Sequence, residues 1–196
     1  RIEMVVIPEG KRRTLCVSSQ AGCALQCTFC ATGTQGFDQN LESHEIIGQL
    51  WLANFSEKSN KPITNVVFMG MGEPLLNFDN VIEATKIIKD QNAYGLSRKR
   101  ITISTSGIVP NIKELNKHVD VSLAISLHAA NDDLRDKIVP INKKYPIKML
   151  LSSCIDFLAD HDSKRHITIE YILIKDINDS YEDAKSLVSL LSTFPC

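Results

Sequence analysis

The sequence contains few residues that interrupt regular structure and no long hydrophobic run. Only 9 Gly, 7 Pro and 1 Trp occur among its 196 residues, of which 43% are hydrophobic and 23% charged. This balance is typical of a globular protein and excludes a disordered or collagen-like chain. No apolar stretch approaches the ~20 residues of a membrane-spanning helix, so the sequence predicts a protein without a membrane span.

The N-terminus lacks both an initiator methionine and the charged-then-apolar pattern of a secretory signal. From the first absence we expect the sequence to be part of a longer chain. From the second, and from the clustering of its cysteines, we expect a reducing, cytoplasmic location. The 22 basic and 23 acidic residues leave a net charge of −1, which provides no overall attraction to nucleic acid or anionic lipid.

Apolar patterning predicts a single α/β domain, residues 1–196, with no linker inside it. Short apolar runs predict strands at residues 13–18, 65–69, 100–104, 121–127 and 167–173. Stripes of helical period predict helices at residues 45–55, 78–89, 110–117, 131–137, 146–158 and 181–191. Such alternation is typical of a parallel sheet with crossover helices. Polar residues follow four of the strands, and in parallel α/β barrels the loops after the strands form the active site.

Four of the six cysteines crowd between positions 16 and 30, and three of them have the spacing C-x3-C-x2-C: Cys23, Cys27 and Cys30. Thiolates are soft ligands that favour zinc or iron–sulfur clusters. A self-contained iron–sulfur site would need four cysteines, so three local ones leave one iron open to a substrate or cofactor. The alternative is a structural zinc site with His44 as the fourth ligand, although such sites usually come as paired C-x2-C knuckles.

The cysteine loop after the first predicted strand resembles that of the radical S-adenosylmethionine (SAM) superfamily. Within it, the sequence resembles the RlmN family, dual-specificity methyltransferases acting on C2 of an adenine in large-subunit rRNA and in tRNA. The stretches that carry the resemblance follow the family order, at residues 15–23, 29–33, 68–77, 103–107 and 126–129. A relative that methylates C8 of adenine shares the cysteine loop, and residues 73–77 favour the C2 enzymes.

The resemblance implies a partial (β/α)6 radical SAM barrel whose sixth strand is missing. It also implies that Cys23, Cys27 and Cys30 bind a [4Fe–4S] cluster, with SAM chelating the fourth iron. An electron from the cluster would then split SAM to give a 5′-deoxyadenosyl radical. The expected partners are large-subunit rRNA, tRNA and a flavodoxin-type electron donor, and the expected state is a monomer without membrane contact.

The same resemblance assigns the other cofactor contacts. Gly72 and Glu73 correspond to residues that bind the amino acid end of SAM, although Glu73 alone could also be a solvated loop carboxylate. Ser104 or Ser106 corresponds to a position that contacts the SAM carboxylate or ribose, although helix N-caps would explain both serines almost equally well. Three further residues correspond to the segment that lines the other side of the cofactor: Ser126, Leu127 and His128. A lone histidine after a strand is more often a structural residue.

Cys16 and Glu3 are the catalytic residues that the resemblance implies. In the family, a second cysteine carries a methyl group from SAM to the adenine, and the cysteine matching Cys16 resolves the adduct through a transient disulfide bond. That step needs an accessible thiolate. Glu3 corresponds to a glutamate that relays a proton from the base, and Glu9 competes for this role. Cys154 lies on the apolar face of a predicted helix and is expected in the core.

Two departures from the family limit what this sequence is expected to do. The segment with the methyl-carrying cysteine is absent, because the sequence stops at Cys196 where the family begins its sixth strand, and the N-terminal RNA-binding domain is also absent. We therefore expect this chain to bind the cluster and SAM without completing methyl transfer. The basic runs 11–13 and 98–100 precede strands and are interpreted as solvated faces at the opposite edge. The rival functions are adenine C8 methylation, an iron–sulfur electron carrier and a zinc-stabilised RNA-binding module.

Overall fold

The computed structural model describes residues 1–55, 61–159, 165–192 and 194–196. The strands are β1 (Val5–Glu9), β2 (Arg12–Cys16), β3 (Gln20–Gly22), β4 (Phe37–Asn40), β5 (Asn65–Phe68), β6 (Ile101–Thr105), β7 (Ser122–Ser126) and β8 (Thr168–Glu170). The α-helices are α1 (Ala31–Gln35), α2 (Ser43–Phe55), α3 (Phe78–Lys89), α4 (Val109–His118), α5 (Asp132–Ile138), α6 (Ile147–Ala159) and α7 (Tyr181–Leu191). Short 3-10 helices cover Pro74–Asn77, Arg98–Arg100 and Pro140–Lys143.

Six strands form one curled sheet in the order β1-β2-β5-β6-β7-β8, which makes a half-barrel. Within this sheet β2, β5, β6, β7 and β8 are parallel. Strand β1 is antiparallel to β2, with Val5 opposite Cys16 and Glu9 opposite Arg12. A separate antiparallel ribbon of β3 and β4 flanks the cysteine loop. The parallel strands direct the loops that follow them to one edge of the sheet, as the sequence pattern predicts.

All five predicted strands and all six predicted helices are present, with shifts of a few residues at their ends. The clearest shift is in β8, which ends at Glu170 instead of continuing to residue 173. The chain leaves the sheet here because the backbone N–H of Ile172 donates to His128 Nδ1 at 3.1 Å. The structure adds β1, β3, β4 and α1, which are short or largely exposed and therefore lack a strong apolar period.

The hydrophobic core fills the space between the sheet and the helices on its outer face. Strand residues such as Val66, Ile103 and Leu123 pack there with helix residues such as Leu50 and Ile112, and all are fully or almost fully buried. The helices pack in neighbouring pairs, α2 with α3 and α4 with α6. Within the described ranges, no helix is long and apolar enough to cross a membrane.

Candidate active site

A cavity of about 390 Å³ opens at the carboxyl edge of β5, β6, β7 and β8. Most of the residues that the sequence assigns to the cofactor line it, namely Gly72, Glu73, Ser104, Ser106, Ser126 and His128. These residues come from three separate loops, so only the fold brings them together. Glu170 also lines the cavity, although the sequence analysis did not single it out.

The Gly70-Met71-Gly72 loop needs its glycines for close packing. A Cβ atom on Gly70 would lie 2.7 Å from the carbonyl oxygen of Val17. Gly72 has a φ of +95°, and a Cβ there would lie 2.4 Å from Cβ of Gln20. Both distances are far below ordinary contact, so larger residues would push this loop away from the segment that leads to the cysteines.

Glu73 is a buried carboxylate, and the idea that it is a solvated loop residue is wrong. Only 3% of its surface is exposed. Its Oε1 accepts a hydrogen bond from the Leu75 N–H at 3.1 Å and its Oε2 accepts one from the Ser106 N–H at 2.7 Å. Burial raises the pKa of Glu73, and these hydrogen bonds partly oppose the rise. Glu73 therefore fastens the end of β6 to the loop after β5, and both of its oxygens already have partners.

Neither candidate serine is a helix N-cap. The N-cap residue of α4 is Ile108, and the nearby N–H groups of Gly107 and Ile108 instead donate to Thr105 Oγ1. Ser104 is free to face the cavity, where its hydroxyl donates to Glu170 Oε2 at 2.6 Å. Ser106 also lines the cavity, and it is not the residue that caps α4.

The segment after β7 divides into two residues that face the cavity and one that does not. Ser126 and His128 line it, whereas the Leu127 side chain is fully buried in the core. The Leu127 N–H donates to the Glu170 carbonyl, and the Leu127 carbonyl accepts from Ala129 N–H and Arg135 Nε. The backbone N–H and carbonyl of Leu127 are both hydrogen-bonded and its side chain lies in the core, so Leu127 supports the site without lining the cavity.

His128 has a strained backbone, and its ring contacts two other segments of the site. Its φ of +61° lies in the left-handed region, which is uncommon for any residue except glycine. Its Nδ1 accepts the Ile172 N–H, and its ring meets Phe29 of the cysteine loop edge-on with centroids 4.8 Å apart. Burial, helped by the charge of Arg135, lowers the pKa of His128 to about 4. The ring is therefore neutral at pH 7, with its proton on Nε2.

Arg135 is a structural residue of the site that no sequence motif indicated. Its side chain is fully buried and donates to the carbonyls of Leu127, Ser106 and Ser126 and to Asn142 Oδ1, at 2.7–3.0 Å. These bonds join the ends of β6 and β7 to α5. Its burial lowers its own pKa to about 10. In a sequence, an arginine on an otherwise charged helix looks like a surface residue, so nothing local could have marked it.

The three cysteines of the motif lie half-buried on the loop that ends at α1. Burial, together with the negative charges of Cys23, Cys30 and Glu73, raises the pKa of Cys27 to about 12, whereas Arg135 opposes the rise. The pKa of Cys23 is raised mainly by burial, and the backbone N–H groups of Leu25 and Glu73 lower it.

The donor set fits an iron–sulfur cluster better than a single zinc ion. His44, the candidate fourth zinc ligand, is exposed and lies 3.2 Å from Glu42. In the part of the chain that the structure describes, no three His, Cys, Asp or Glu side chains are arranged to hold one metal ion. A [4Fe–4S] cluster binds each cysteine at a different iron, so its ligands stand farther apart than those of a single ion.

The antiparallel pairing of β1 puts the two proton-relay candidates at opposite edges of the sheet. Glu3 precedes β1 at the carboxyl edge of β2, where its carbonyl accepts a hydrogen bond from Ser18 Oγ at 2.6 Å. Glu9 ends β1 at the opposite edge of the sheet. Only Glu3 therefore lies at the cavity edge, although its side chain is exposed and does not line the cavity.

Cys16 ends β2 half-buried, and it does not line the cavity either. Burial raises its pKa, a backbone hydrogen bond with Met69 opposes the rise, and the charge of Glu170 adds to it. All six cysteines are free, so the structure does not support the expected disulfide bond. Cys154 is fully buried in the core, which confirms the prediction for it.

The two basic runs do lie at the opposite edge, at the start of β2 and immediately before β6, but they are not simply solvated. Arg13 is buried, with 7% of its surface exposed. Arg12, Arg98 and Lys99 line a second cavity of about 430 Å³ between the amino ends of the strands. The carboxylate of Asp120 offsets part of the positive charge at this cavity, since it pairs with Arg98 and Arg165.

The chain is similar over its whole length to RNA methyltransferases of known sequence. RlmN dual-specificity RNA methyltransferases of Pseudomonas putida W619 and Pseudomonas fluorescens SBW25 are each 60% identical to this chain over 200 aligned residues. The alignments cover the whole chain and 52% of each relative, so the chain spans about half the length of the curated relatives it matches.

Two solved structures share the fold. A radical SAM methyltransferase from Sphaerobacter thermophilus is 41% identical, with a TM-score of 0.94 over all of this chain and 57% of that protein. Streptococcus suis SuiB bound to S-adenosylmethionine is 16% identical, with a TM-score of 0.59 over 92% of this chain and 39% of SuiB, which shows the fold alone. The family model of the Radical SAM superfamily matches residues 17–188. The chain therefore belongs to the Radical SAM superfamily.

Proposed function

We propose that this chain is the catalytic core of a radical SAM RNA methyltransferase that methylates C2 of adenine in large-subunit rRNA and in tRNA. One observation carries the proposal: most of the residues assigned to SAM converge from separate loops on a single cavity, and His128 in its lining contacts Phe29 of the cysteine loop. The names of the 60%-identical relatives support RNA as the substrate. The C2 position and the methyl-cysteine route rest on the sequence resemblance.

In this proposal Cys23, Cys27 and Cys30 would hold a [4Fe–4S] cluster. When bound, the cluster supplies the electron that splits SAM into methionine and a 5′-deoxyadenosyl radical. Gly72 and the buried Glu73 position the amino acid end of SAM. Ser104, Ser126 and neutral His128 line the nucleoside side of the cavity, and Leu127 supports them from the core.

Cys16 and Glu3 complete the proposed chemistry at the edge of β2. In the route that the resemblance implies, the Cys16 thiolate would attack the sulfur of a second cysteine that is joined to the adenine through a CH2 group. The S–S bond would form as the S–CH2 bond breaks, and the released carbon would take up a proton to become the methyl group. That second cysteine is not one of the six in this sequence, which are all free. Glu3 would accept a proton from the adenine. We also propose a flavodoxin-type electron donor, a monomeric state and a cytoplasmic location.

An anaerobic reconstitution tests the core of the proposal. We expect the loaded chain to be brown, to hold about four irons, and to release 5′-deoxyadenosine from SAM after reduction with dithionite. Cys27→Ala should lose iron and cleavage, whereas Cys196→Ser, at an exposed cysteine outside the motif, should retain both. A colourless protein that holds zinc after attempted reconstitution would support the RNA-binding module instead.

Product analysis then separates C2 from C8 methylation. A protein of the relatives' full length would be incubated with SAM and with rRNA or tRNA, and the RNA would be digested to nucleosides. The proposal predicts 2-methyladenosine. Release of 8-methyladenosine would favour the alternative enzyme on the same core.

A further inference from the structure

The cavity at the amino edge of the sheet collects positive charge that the proposed function does not use. Among the described residues that line it, four are arginine or lysine and none is acidic. They come from β2, from the 3-10 helix before β6 and from the segment before β8, namely Arg12, Arg98, Lys99 and Arg165. The fold therefore brings cations from separate parts of the chain to one place, at the opposite edge of the sheet from the candidate active site.

Two of these arginines converge on one oxygen of a single carboxylate. Arg98 Nε lies 3.9 Å from Asp120 Oδ1, and Arg165 Nη2 donates to the same atom at 2.5 Å. Asp120 offsets only part of the charge, because Arg12 and Lys99 form no ion pair within the described residues. A concave site with more positive than negative charge attracts an anion.

Arg165 is the recessed member of this cluster, and one of its nitrogens is unpaired. Only 12% of its side chain is exposed. Its Nη1 is buried and has no hydrogen-bond partner in the part of the chain that the structure describes. A guanidinium presents five N–H donors in a planar fork, which matches the oxygens of a phosphate group. Because an unpaired buried donor is costly, a phosphate beside Arg165 would supply an acceptor that the described residues do not.

Hydroxyl groups near the amino ends of the strands complete the lining. Thr102 and Ser122 lie opposite each other in the register of β6 and β7, and Thr168 begins β8. Each hydroxyl can donate one hydrogen bond to an oxyanion. The volume of about 430 Å³ is that of a small-molecule site. Because Arg165 is recessed, a small phosphate-bearing molecule can reach it more easily than the backbone of a folded RNA can.

We propose that this cavity is a binding site for the phosphate groups of a small molecule, with Arg98, Lys99 and Arg165 as the charged contacts. The inference does not rest on the proposed function, since the cavity shares no lining residue with the candidate active site. Phosphate oxygens accept hydrogen bonds from both guanidinium groups, which turn part of their bonding from Asp120 to the ligand. Asp120 therefore competes with the ligand for the arginines.

The test is a calorimetric titration of the purified 196-residue chain with inorganic pyrophosphate, at about 0.15 M ionic strength. The wild type should show saturable binding. Arg98→Gln should weaken this binding by about tenfold, the usual effect of losing a hydrogen bond between charged groups. Arg100→Gln is the matched control, because Arg100 is exposed, belongs to the same basic run and does not line the cavity. It should change the affinity by less than about twofold.

Two more measurements refine the assignment. Asp120→Asn removes the competing carboxylate and should strengthen pyrophosphate binding severalfold, a gain that a purely structural role for the arginines would not produce. ADP is titrated in parallel: tighter binding than pyrophosphate would support the site and assign it to a nucleotide, and equal or weaker binding would support it for the phosphate groups alone. If Arg98→Gln does not fold, Lys99→Gln replaces it, since Lys99 is an exposed lining residue.

Three results would overturn the inference. The first is that neither pyrophosphate nor ADP binds the folded wild type with a dissociation constant below about 1 mM. The second is equal weakening in Arg98→Gln and Arg100→Gln, which would indicate general attraction to positive charge. The third is binding of a short RNA duplex that depends on Arg98 while pyrophosphate does not bind, which would assign the cavity to an RNA backbone instead.

Discussion

At the scale of single residues, His128 shows how burial controls protonation at the site. Its pKa of about 4 means that the folded protein resists protonating this ring, while the unfolded chain does not. Its contribution to stability is therefore complete above the ordinary histidine pKa of about 6.5 and is lost as the pH falls towards 4.

The first prediction follows from the direction of this pKa shift. Between pH 6.5 and pH 4, the free energy of unfolding of the wild type should fall relative to that of His128→Asn by an amount on the order of 3 kcal/mol. Asparagine is chosen because it tolerates the left-handed backbone at this position. Denaturant unfolding at several pH values measures the difference, and an NMR titration of the His128 ring reads its pKa directly. Parallel stability curves for the two proteins would contradict the prediction.

Cys16 provides the second prediction at this scale. Because burial raises its pKa, the thiolate of the cluster-free chain should form only at a higher pH than in the unfolded chain. We expect alkylation of Cys16 by iodoacetamide, followed residue by residue with mass spectrometry from pH 7 to pH 10, to rise later in the folded protein than in denaturant. A folded-state profile at lower pH would instead indicate a thiolate already activated in the core alone.

At the scale of secondary-structure elements, the site depends on carbonyl groups at strand ends. The Arg135 guanidinium donates hydrogen bonds to the carbonyls of Ser106, Ser126 and Leu127, which lie after β6, at the end of β7 and before α5. Without Arg135, these carbonyls would lose those hydrogen bonds. A buried charge with several hydrogen bonds is costly to remove, since its partners then lose their bonds within the protein.

We predict that Arg135→Gln lowers the free energy of unfolding by about 3 kcal/mol or more. Lys137→Gln, which removes the same charge from an exposed position of the same helix, should change it by less than about 0.5 kcal/mol. Urea denaturation of the three proteins makes the comparison. Similar small effects for both substitutions would show that the carbonyl network does not depend on Arg135.

At the scale of the whole molecule, stability should be highest in the middle of the sheet. Strands β5, β6 and β7 each have two neighbours, whereas within the described ranges β1 and β8 have only one. β1 is also largely exposed, while β6 is largely buried. Backbone hydrogen bonds that are buried and flanked on both sides open least often.

Hydrogen–deuterium exchange of the 196-residue chain tests this gradient. Amides of β6 should exchange at least about tenfold more slowly than those of β1 and β8, with β5 and β7 close to β6. Fast exchange throughout the sheet, with native secondary structure retained, would mean that the half-barrel is not cooperatively packed.

The sequence by itself determined the features that depend on local order along the chain. The period of apolar residues indicated all five parallel strands and six helices, because burial of one face imposes that period. The C-x3-C-x2-C spacing marked the cysteine loop as a candidate metal-binding site, because thiolates are soft metal ligands. The resemblance added six of the residues that line the cavity, and it also assigned Leu127, which lies in the core instead.

Only the tertiary structure decided how the site is held and what it offers to a ligand. Glu170 meets Ser104 across 66 positions of sequence and Ser126 across 44, through the register of three adjacent strands. Arg135 is buried because α5 packs against two strand ends, and Glu3 reaches the cavity edge because β1 runs antiparallel. Contacts of this kind depend on which strands are neighbours and how they are aligned, and no local pattern records either property.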